Sequence, residues 1–183
     1  MKTRNILIVA FIVVSIVQLA VPANMIYKYQ HILSYGKQFK FKIAPVDPSD
    51  PFRGKFVSLR MEENNIKVDS LSHWQQNEII YLKIAANKSD GFVKIIDFSR
   101  DKPHPGGDFI QAKVDYETDN SLIIEYPFEK YYLEESKAPE AERLYFKASR
   151  DSTKGSFVTV NVIDGEAVLN DLIIRGKSIK DIK

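Results

Sequence analysis

The sequence predicts a mainly β protein: an N-terminal transmembrane helix followed by a small antiparallel β-barrel or sandwich with one packed helix. Three observations lead to this fold class. A long apolar segment opens the chain, short segments of alternating apolar and polar residues follow it, and tight-turn signals separate those segments. Consecutive strands joined by tight turns favour antiparallel pairing, and the alternation of strands with crossover helices is missing from the pattern.

The opening segment has the length and composition of a membrane anchor. From Ile6 to Val21 the only polar residues are Ser15 and Gln18, and two basic residues precede the run. Continued to Ile26, a helix would be about 31 Å long, which matches a hydrocarbon core of about 30 Å. We therefore expect a single-pass anchor that fixes the remainder of the chain to a membrane.

This anchor divides the chain into two expected parts. Residues 1–30 would form the anchor and stalk, and residues 31–183 one extracytoplasmic, mostly β domain. A short basic N-terminus before a long domain favours export of that domain, although lysines after the span weaken the charge bias. Cleavage as a signal peptide stays open, because Val21-Pro22-Ala23 is acceptable as a small-residue cleavage site.

Composition excludes several classes of function. The 26 Lys and Arg residues against 24 Asp and Glu give a net charge of only +2, and the charges are interspersed. A nucleic-acid-binding protein would carry a basic patch or stripe, so no nucleic-acid partner is expected. The absence of cysteine removes disulfides, zinc-thiolate sites and thiolate nucleophiles. His31, His73 and His104 are far apart and match no metal-binding pattern, so neither a metal nor a cofactor is expected.

Three local patterns predict particular elements of the β domain. In FKFKI, Phe39, Phe41 and Ile43 fall on one face, as in a half-buried strand. Asp90-Gly91 indicates one hairpin. A helix is expected in ESKAPEAERLYFKAS, which has acidic residues early and a proline near its first turn.

The closing segment predicts a second hairpin in more detail. Asp164-Gly165 would be the two-residue turn of type I′. The register then places Val162 opposite Ala167 and Val160 opposite Leu169 on one face.

Two groups of carboxylates are the candidate site. Asp47 and Asp50 lie near Arg53 and Gly54 in the proline-rich loop PVDPSDPFRG, and Glu134 and Glu135 lie in YYLEES. A functional interpretation pairs an acid and a base from the two segments across a cleft. The structural interpretation, which we favour, is that the aspartates form Asx-turns, that the arginine ties the loop down and that the glutamates cap a helix. The candidate binding residues are Asp47, Asp50, Arg53, Gly54 and Glu134, and no catalytic residue is assigned.

An aromatic stretch, EYPFEKYYLEE, allows two interpretations. Its rings could line a binding groove, or they could fill the core where a loop crosses a sheet, which is the commoner arrangement. The residues concerned are Tyr126, Phe128, Tyr131 and Tyr132.

The segment PVDPSDPFRGKFVSLRM resembles the signature of the GDYXXLXY family of uncharacterised, membrane-anchored bacterial proteins. It keeps the Asp-Pro loop, the Arg53-Gly54 pair and Leu59 of that signature. It departs at Lys55, Phe56 and Met61, which replace an acidic residue and two tyrosines. YYLEESKAPEAE and VNVIDGEAVLNDLIIRG resemble two later elements of the family. The resemblance implies a bacterial protein and brings no known activity. Together with the expected anchor and export, it leads us to expect a single-pass protein of the bacterial inner membrane, with its C-terminal domain facing the periplasm or exterior.

Two hypotheses about function follow. In the first, the protein is a non-enzymatic, membrane-anchored β-domain that serves as a binding or accessory subunit for a polytopic membrane protein or an envelope component. In the second, it is an envelope hydrolase or carbohydrate-binding enzyme that uses Asp47 or Asp50 with Glu134 or Glu135. Convergence of those carboxylates across an open cleft would support the second hypothesis.

Overall fold

The computed structural model describes residues 2–44, 56–68, 73–104, 106–132 and 155–181. A long helix, α1 (Lys2–Tyr35), leads directly into the first strand, β1 (Lys37–Lys42). The remaining elements of the described residues are β2 (Phe56–Ser58), β3 (Asn65–Lys67), β4 (Ile79–Ala86), β5 (Val93–Ser99), β6 (Phe109–Thr118), β7 (Ser121–Glu125), β8 (Lys130–Tyr132), β9 (Phe157–Ile163), β10 (Glu166–Ile174), β11 (Lys177–Ser178) and a 3-10 helix (Ile179–Asp181).

Helix α1 is long and apolar enough to cross a bilayer. The stretch Asn5–Tyr35 reaches a mean hydropathy of 2.7 in its most apolar window, and none of that window is buried within the protein. The helix ends at Tyr35, and the Gly36 N–H donates to the Ile32 carbonyl oxygen at 2.8 Å. The helix therefore stops immediately before Gly36, and it is a candidate membrane anchor.

The strands form antiparallel sheets that come close to closing on themselves. One sheet has the order β1-β9-β10-β11, a second has the order β3-β7-β6-β4-β5, and β2 pairs with β8 in a separate ribbon. Two isolated parallel bridges, Lys40 to Phe92 and Ile110 to Gly165, connect the two larger sheets. The strands β1, β9, β10, β6, β4 and β5 thereby form a nearly closed barrel, which confirms the predicted fold class.

Alternation along the strands builds the core. Phe39, Phe41 and Ile43 are buried, as the FKFKI pattern predicts. The Phe41 ring packs edge-on against the rings of Tyr126 and Phe128, with centroids 5.6 and 5.1 Å away. Fully buried side chains from both sheets meet these rings, so apolar burial is the main stabilising term of the domain.

Both predicted hairpins are present. Asp164 and Gly165 have φ angles of 50° and 87°, as a type I′ turn requires. Val162 faces Ala167 and Val160 faces Leu169, so the predicted register is confirmed. Strands β4 and β5 form the other hairpin, in which Gly91 adopts a φ of 73°.

Chain direction gives the barrel two ends relative to the helix. Strand β1 starts at the end of α1 and leads away from it toward the β4–β5 hairpin, where Lys42 pairs with Asp90 at 3.2 Å. We call that end the distal pole. The β9–β10 turn points the opposite way, back along the helix, and Glu166 beside the turn forms an ion pair with Lys28. We call this end, which also includes the loop before β6, the proximal pole.

The helix predicted in ESKAPEAERLYFKAS falls in residues 133–154, outside the described residues, so it stays a prediction.

Candidate functional site

All the candidate binding residues from the sequence lie outside the described residues. This holds for Asp47, Asp50, Arg53, Gly54 and Glu134, and also for Glu135. Their assignment and their mutual distances therefore stay predictions. The structure does describe the strands that adjoin the two segments.

Strands β2 and β8 connect these two segments in one antiparallel ribbon. Phe56 is opposite Tyr132, Val57 is opposite Tyr131, and Ser58 is opposite Lys130. The first residue of β2 and the last residue of β8 are therefore side by side. Because residues 45–55 lead into β2 and residues 133–154 follow β8, both segments connect to the same end of the ribbon. The sequence analysis identified the two segments independently, and nothing in the sequence predicts that β2 pairs with β8.

The residues that follow β2 contribute side chains to the hydrophobic core. Leu59 and Met61 are buried to 2% and 1% exposure, and Met61 pairs with Ile43 of the β1 segment. The Leu59 N–H donates to the Glu129 carbonyl oxygen at 2.7 Å. The resemblance therefore rests partly on residues whose role is packing, since Leu59 belongs to the family signature and Met61 replaces its second tyrosine.

Glu129 is a partly buried carboxyl group beside this ribbon that the sequence analysis missed. Its Oε1 accepts a hydrogen bond from the Tyr126 backbone N–H at 3.0 Å. Burial raises the pKa of the Glu129 carboxyl, and the nearby negative charges of Glu125 and Asp115 raise it further. The hydrogen bond from the Tyr126 N–H and the positive charge of Arg60 act in the opposite direction. A carboxyl group in this setting is easier to protonate than an exposed one and can then donate a hydrogen bond.

Two shallow cavities, of about 360 and 520 Å³, adjoin Glu129. The smaller is lined in part by Lys113, Lys130 and Tyr132, and the larger by Arg60, Asn64 and Asp115. The only sequence signal for Glu129 is that it is an acidic residue in an aromatic stretch. That signal does not distinguish it from Glu125.

The aromatic stretch around Glu129 divides between core and surface. Tyr126 and Phe128 are buried at 2% and 3% exposure, so the core interpretation is confirmed for them. The Tyr126 hydroxyl donates to the Glu63 carbonyl oxygen, and burial raises the pKa of that hydroxyl. Tyr131 is partly buried, and burial raises its pKa to about 12. Tyr132 is 70% exposed and lines the smaller cavity.

A larger groove of about 560 Å³ lies at the proximal pole. Its aromatic lining includes Tyr81 and Phe109, whose rings pack edge to face with centroids 6.2 Å apart. Lys102 places its Nζ 5.9 Å from the centre of the Phe109 ring. The charged and polar residues of the groove are Lys83, Asp97, Ser99, Asp101, Lys102 and His104. Within the described residues, His, Asp and Glu form no group of three that could hold a metal ion.

The contact between α1 and the barrel is the most closely defined feature of the proximal side. Ile32 is only 5% exposed. The Asn161 Nδ2 of β9 donates to the Leu33 carbonyl oxygen at 2.9 Å, which satisfies a carbonyl that the end of the helix leaves without a partner. Gly36 is required at the turn from helix to strand, because a Cβ there would lie 2.5 Å from the Ile32 carbonyl oxygen. We call this set of contacts the junction.

Two ion pairs reinforce the junction from the outside. Lys28 pairs with Glu166, and Lys37 pairs with Asp108 of the loop before β6. All four side chains are at least one-third exposed, so each pair contributes at most about 1 kcal/mol. The burial of Ile32 and the hydrogen bond from Asn161 therefore fix the barrel on the helix more than the charges do.

Comparison with known proteins identifies one family. The family model described as GDYXXLXY protein matches residues 18–172. The match runs from the second half of the apolar segment, through the junction and the β2–β8 ribbon, to β10. No curated protein and no solved structure matches the chain.

Proposed function

The chain belongs to the GDYXXLXY family, and from that premise we propose that it is a membrane-anchored accessory domain. Its barrel would bind a membrane protein or an envelope component at the bilayer surface. The observation that supports this proposal most strongly is the junction, because it attaches the barrel directly to an apolar helix of membrane-spanning length.

The junction would hold the barrel at a defined height. If the hydrocarbon segment ends at Ile26, then Lys28 lies about 3 Å beyond it along the helix axis. Glu166 pairs with that lysine, so the proximal pole would lie at the level of the lipid headgroups. A domain confined in this way meets other membrane proteins at a high effective concentration. Its proximal groove would face the zone that a polytopic partner occupies.

The proposal includes export of the barrel, with the N-terminus of α1 in the cytoplasm. Because the chain has no cysteine, a single introduced thiol reports its own location. We expect Lys102→Cys in intact cells to react with a membrane-impermeant maleimide without permeabilisation. Reaction only after permeabilisation would place the barrel in the cytoplasm, and a shortened chain by mass spectrometry would show cleavage of the anchor.

Contact with a membrane partner can be tested with two matched lysine substitutions. Lys102→Cys places a thiol at the proximal pole, and Lys88→Cys places one on the β4–β5 hairpin at the distal pole; both lysines are exposed. Each thiol is coupled to a photocrosslinker in native membranes. We expect a discrete adduct with a membrane protein from the proximal site and at least about fivefold less from the distal site. Adducts of equal yield from both sites, or none from either, would contradict the accessory role.

An envelope hydrolase is the second candidate function. Its support is that the β2–β8 ribbon connects the segments containing Asp47 and Glu134 at one end. For this function, the purified full-length protein in detergent should release reducing ends from envelope polysaccharide. Asp47→Asn and Glu134→Gln should each lower that rate by at least about a hundredfold, the usual effect of losing a general acid or base. No release by the unmodified protein would exclude this function.

A further inference from the structure

Gln18 is a polar residue at a depth where water is scarce. It lies eight residues before Ile26, which is about 12 Å along the helix from that end of the apolar segment. A glutamine side chain is too short to reach the headgroups from there. Its carboxamide is exposed on the helix surface and makes no hydrogen bond within the described part of the chain. In hydrocarbon, an unpaired amide costs several kcal/mol, so a partner inside the bilayer is favoured.

Pro22 leaves a second unsatisfied group at the same residue. It lies inside α1, four residues after Gln18. In a regular helix, the N–H of residue 22 would donate to the carbonyl of residue 18, and proline has no N–H. The Gln18 backbone carbonyl therefore lacks its usual donor. Ser15, one turn earlier, is satisfied within the helix, because its Oγ donates to the Phe11 carbonyl oxygen at 2.8 Å.

These groups share one face of the helix. Ser15, Gln18, Pro22 and Met25 follow one another at spacings of three and four residues, which keeps them on one side. We call this the Gln18 face. This face is open within the apolar segment, because Met25 is 67% exposed. One heptad after Met25 the same face carries Ile32, which is buried in the junction, so a second helix can pack against α1 around Gln18 and must diverge from it before the barrel.

We propose that α1 pairs with a second copy of itself inside the bilayer through the Gln18 face. A carboxamide has both donors and an acceptor, and the free carbonyl beside it is a further acceptor. In a twofold pair, the Gln18 amide of each copy can donate to the side-chain oxygen and the free carbonyl of the other. The face is thus complementary to itself, as a twofold interface requires, and needs no charge from a different protein. This inference rests on α1 spanning the membrane and is independent of the accessory role.

Single cysteines in the full-length, otherwise cysteine-free chain test the pairing directly. Ser15→Cys places a thiol on the Gln18 face, and Ala20→Cys places a matched thiol about 140° around the helix. Both are small residues within the apolar segment, and native membranes containing each variant are treated with an oxidising copper complex. We expect a disulfide-linked dimer from Ser15→Cys and at least fivefold less from Ala20→Cys.

Changing Gln18 shows whether its amide holds the pair. Adding Gln18→Leu to Ser15→Cys should weaken dimer formation about five- to thirtyfold, as expected for losing an interhelical hydrogen bond of 1–2 kcal/mol. Gln18→Asn, which keeps the carboxamide, should retain most of it. Blots of the membrane fraction check that all variants insert equally.

Three outcomes would overturn the pairing. These are equal cross-linking at the two positions, insensitivity to Gln18→Leu, and a disulfide formed only with a different membrane protein. The two proposals can fail separately. If Ser15→Cys forms the dimer but the crosslinker at Lys102→Cys gives no adduct with a membrane protein, only the accessory role is contradicted.

Discussion

Asn161 is the residue on which the junction depends most. It is 7% exposed, and it joins β9 to the last turn of α1 by donating to the Leu33 carbonyl oxygen. A weaker contact at 3.5 Å reaches the Gly36 carbonyl oxygen. Its Oδ1 is buried without a hydrogen-bond partner within the described residues. The Asn161 side chain therefore stabilises the junction through its Nδ2 donor. The buried Oδ1, which has no partner, reduces that stabilisation.

We predict that Asn161→Ala lowers the free energy of unfolding by about 1–3 kcal/mol, the usual effect of losing a buried hydrogen bond. Asn161→Asp should destabilise more, because a carboxylate would face the helix carbonyl oxygens instead of a donor. Urea unfolding of the full chain in detergent, followed by the fluorescence of the single tryptophan, measures both. Asn120→Asp, on the exposed β6–β7 turn, is the control and should change little. An aspartate at position 161 as well tolerated as the control would refute the capping role.

The raised pKa of Glu129 leads to a prediction about how the stability of the fold depends on pH. Burial raises the pKa of this carboxyl above its usual 4.5 in the folded protein, so folding favours the protonated form. The carboxyl is protonated in both states below pH 4.5, where it carries no penalty. Stability is lost as the pH rises through the raised pKa, and the loss is then constant.

Glu129→Gln removes this titration and keeps an acceptor for the Tyr126 N–H. We therefore expect it to be more stable than the unmodified protein at pH 7, with the difference shrinking toward pH 4. Thermal unfolding across that range measures the difference. A stability difference that grew as the pH fell would show that the carboxylate form is the one that the fold favours.

At the scale of elements, the β9–β10 turn depends on a glycine for two reasons. Gly165 has a φ of 87°, where side chains are strained, and a Cβ there would lie 2.4 Å from a ring atom of Phe109. Gly91 has a similar φ of 73° with no atom within 4 Å of its Cβ position. Comparing substitutions at these two glycines therefore separates the effect of backbone strain from that of steric crowding.

We predict that Gly91→Ala destabilises by about 1–2 kcal/mol, the cost of a left-handed conformation. Gly165→Ala should exceed that value by a further 1–3 kcal/mol, about the cost of overpacking. Chemical denaturation of both variants provides the comparison. Equal effects would mean that the Phe109 ring moves aside freely.

Local elements were predictable from the sequence, and their long-range pairing was not. The alternation in FKFKI and the Asp164-Gly165 turn depend only on neighbouring residues. The buried face of β1 and the register of the β9–β10 hairpin could therefore be predicted from the sequence. The pairing of β1 with β9 joins residues more than a hundred positions apart, and several β-rich segments could have satisfied β1 equally well. Glu129 and Asn161 were missed for the same reason, because their burial depends on distant strands.

At the scale of the molecule, direct contacts join the apolar helix to the barrel. The junction connects them without a linker: α1 ends at Tyr35, and β1 begins at Lys37. If α1 spans the bilayer, the proximal pole lies at the headgroups, and the distal pole lies farther out in the direction of β1, a strand about 20 Å long. That fixed geometry is what the accessory role requires, because a flexible stalk would let either pole reach the membrane.

The most direct test of this geometry measures the heights of the two poles above the bilayer. Lys102→Cys and Lys88→Cys, each carrying a nitroxide, are placed in nanodiscs whose headgroups bear a gadolinium chelate. We predict strong relaxation enhancement at the proximal label and at least about fivefold less at the distal label. Equal enhancement at both positions, or a stronger effect at the distal label, would contradict a barrel held rigidly at the membrane surface.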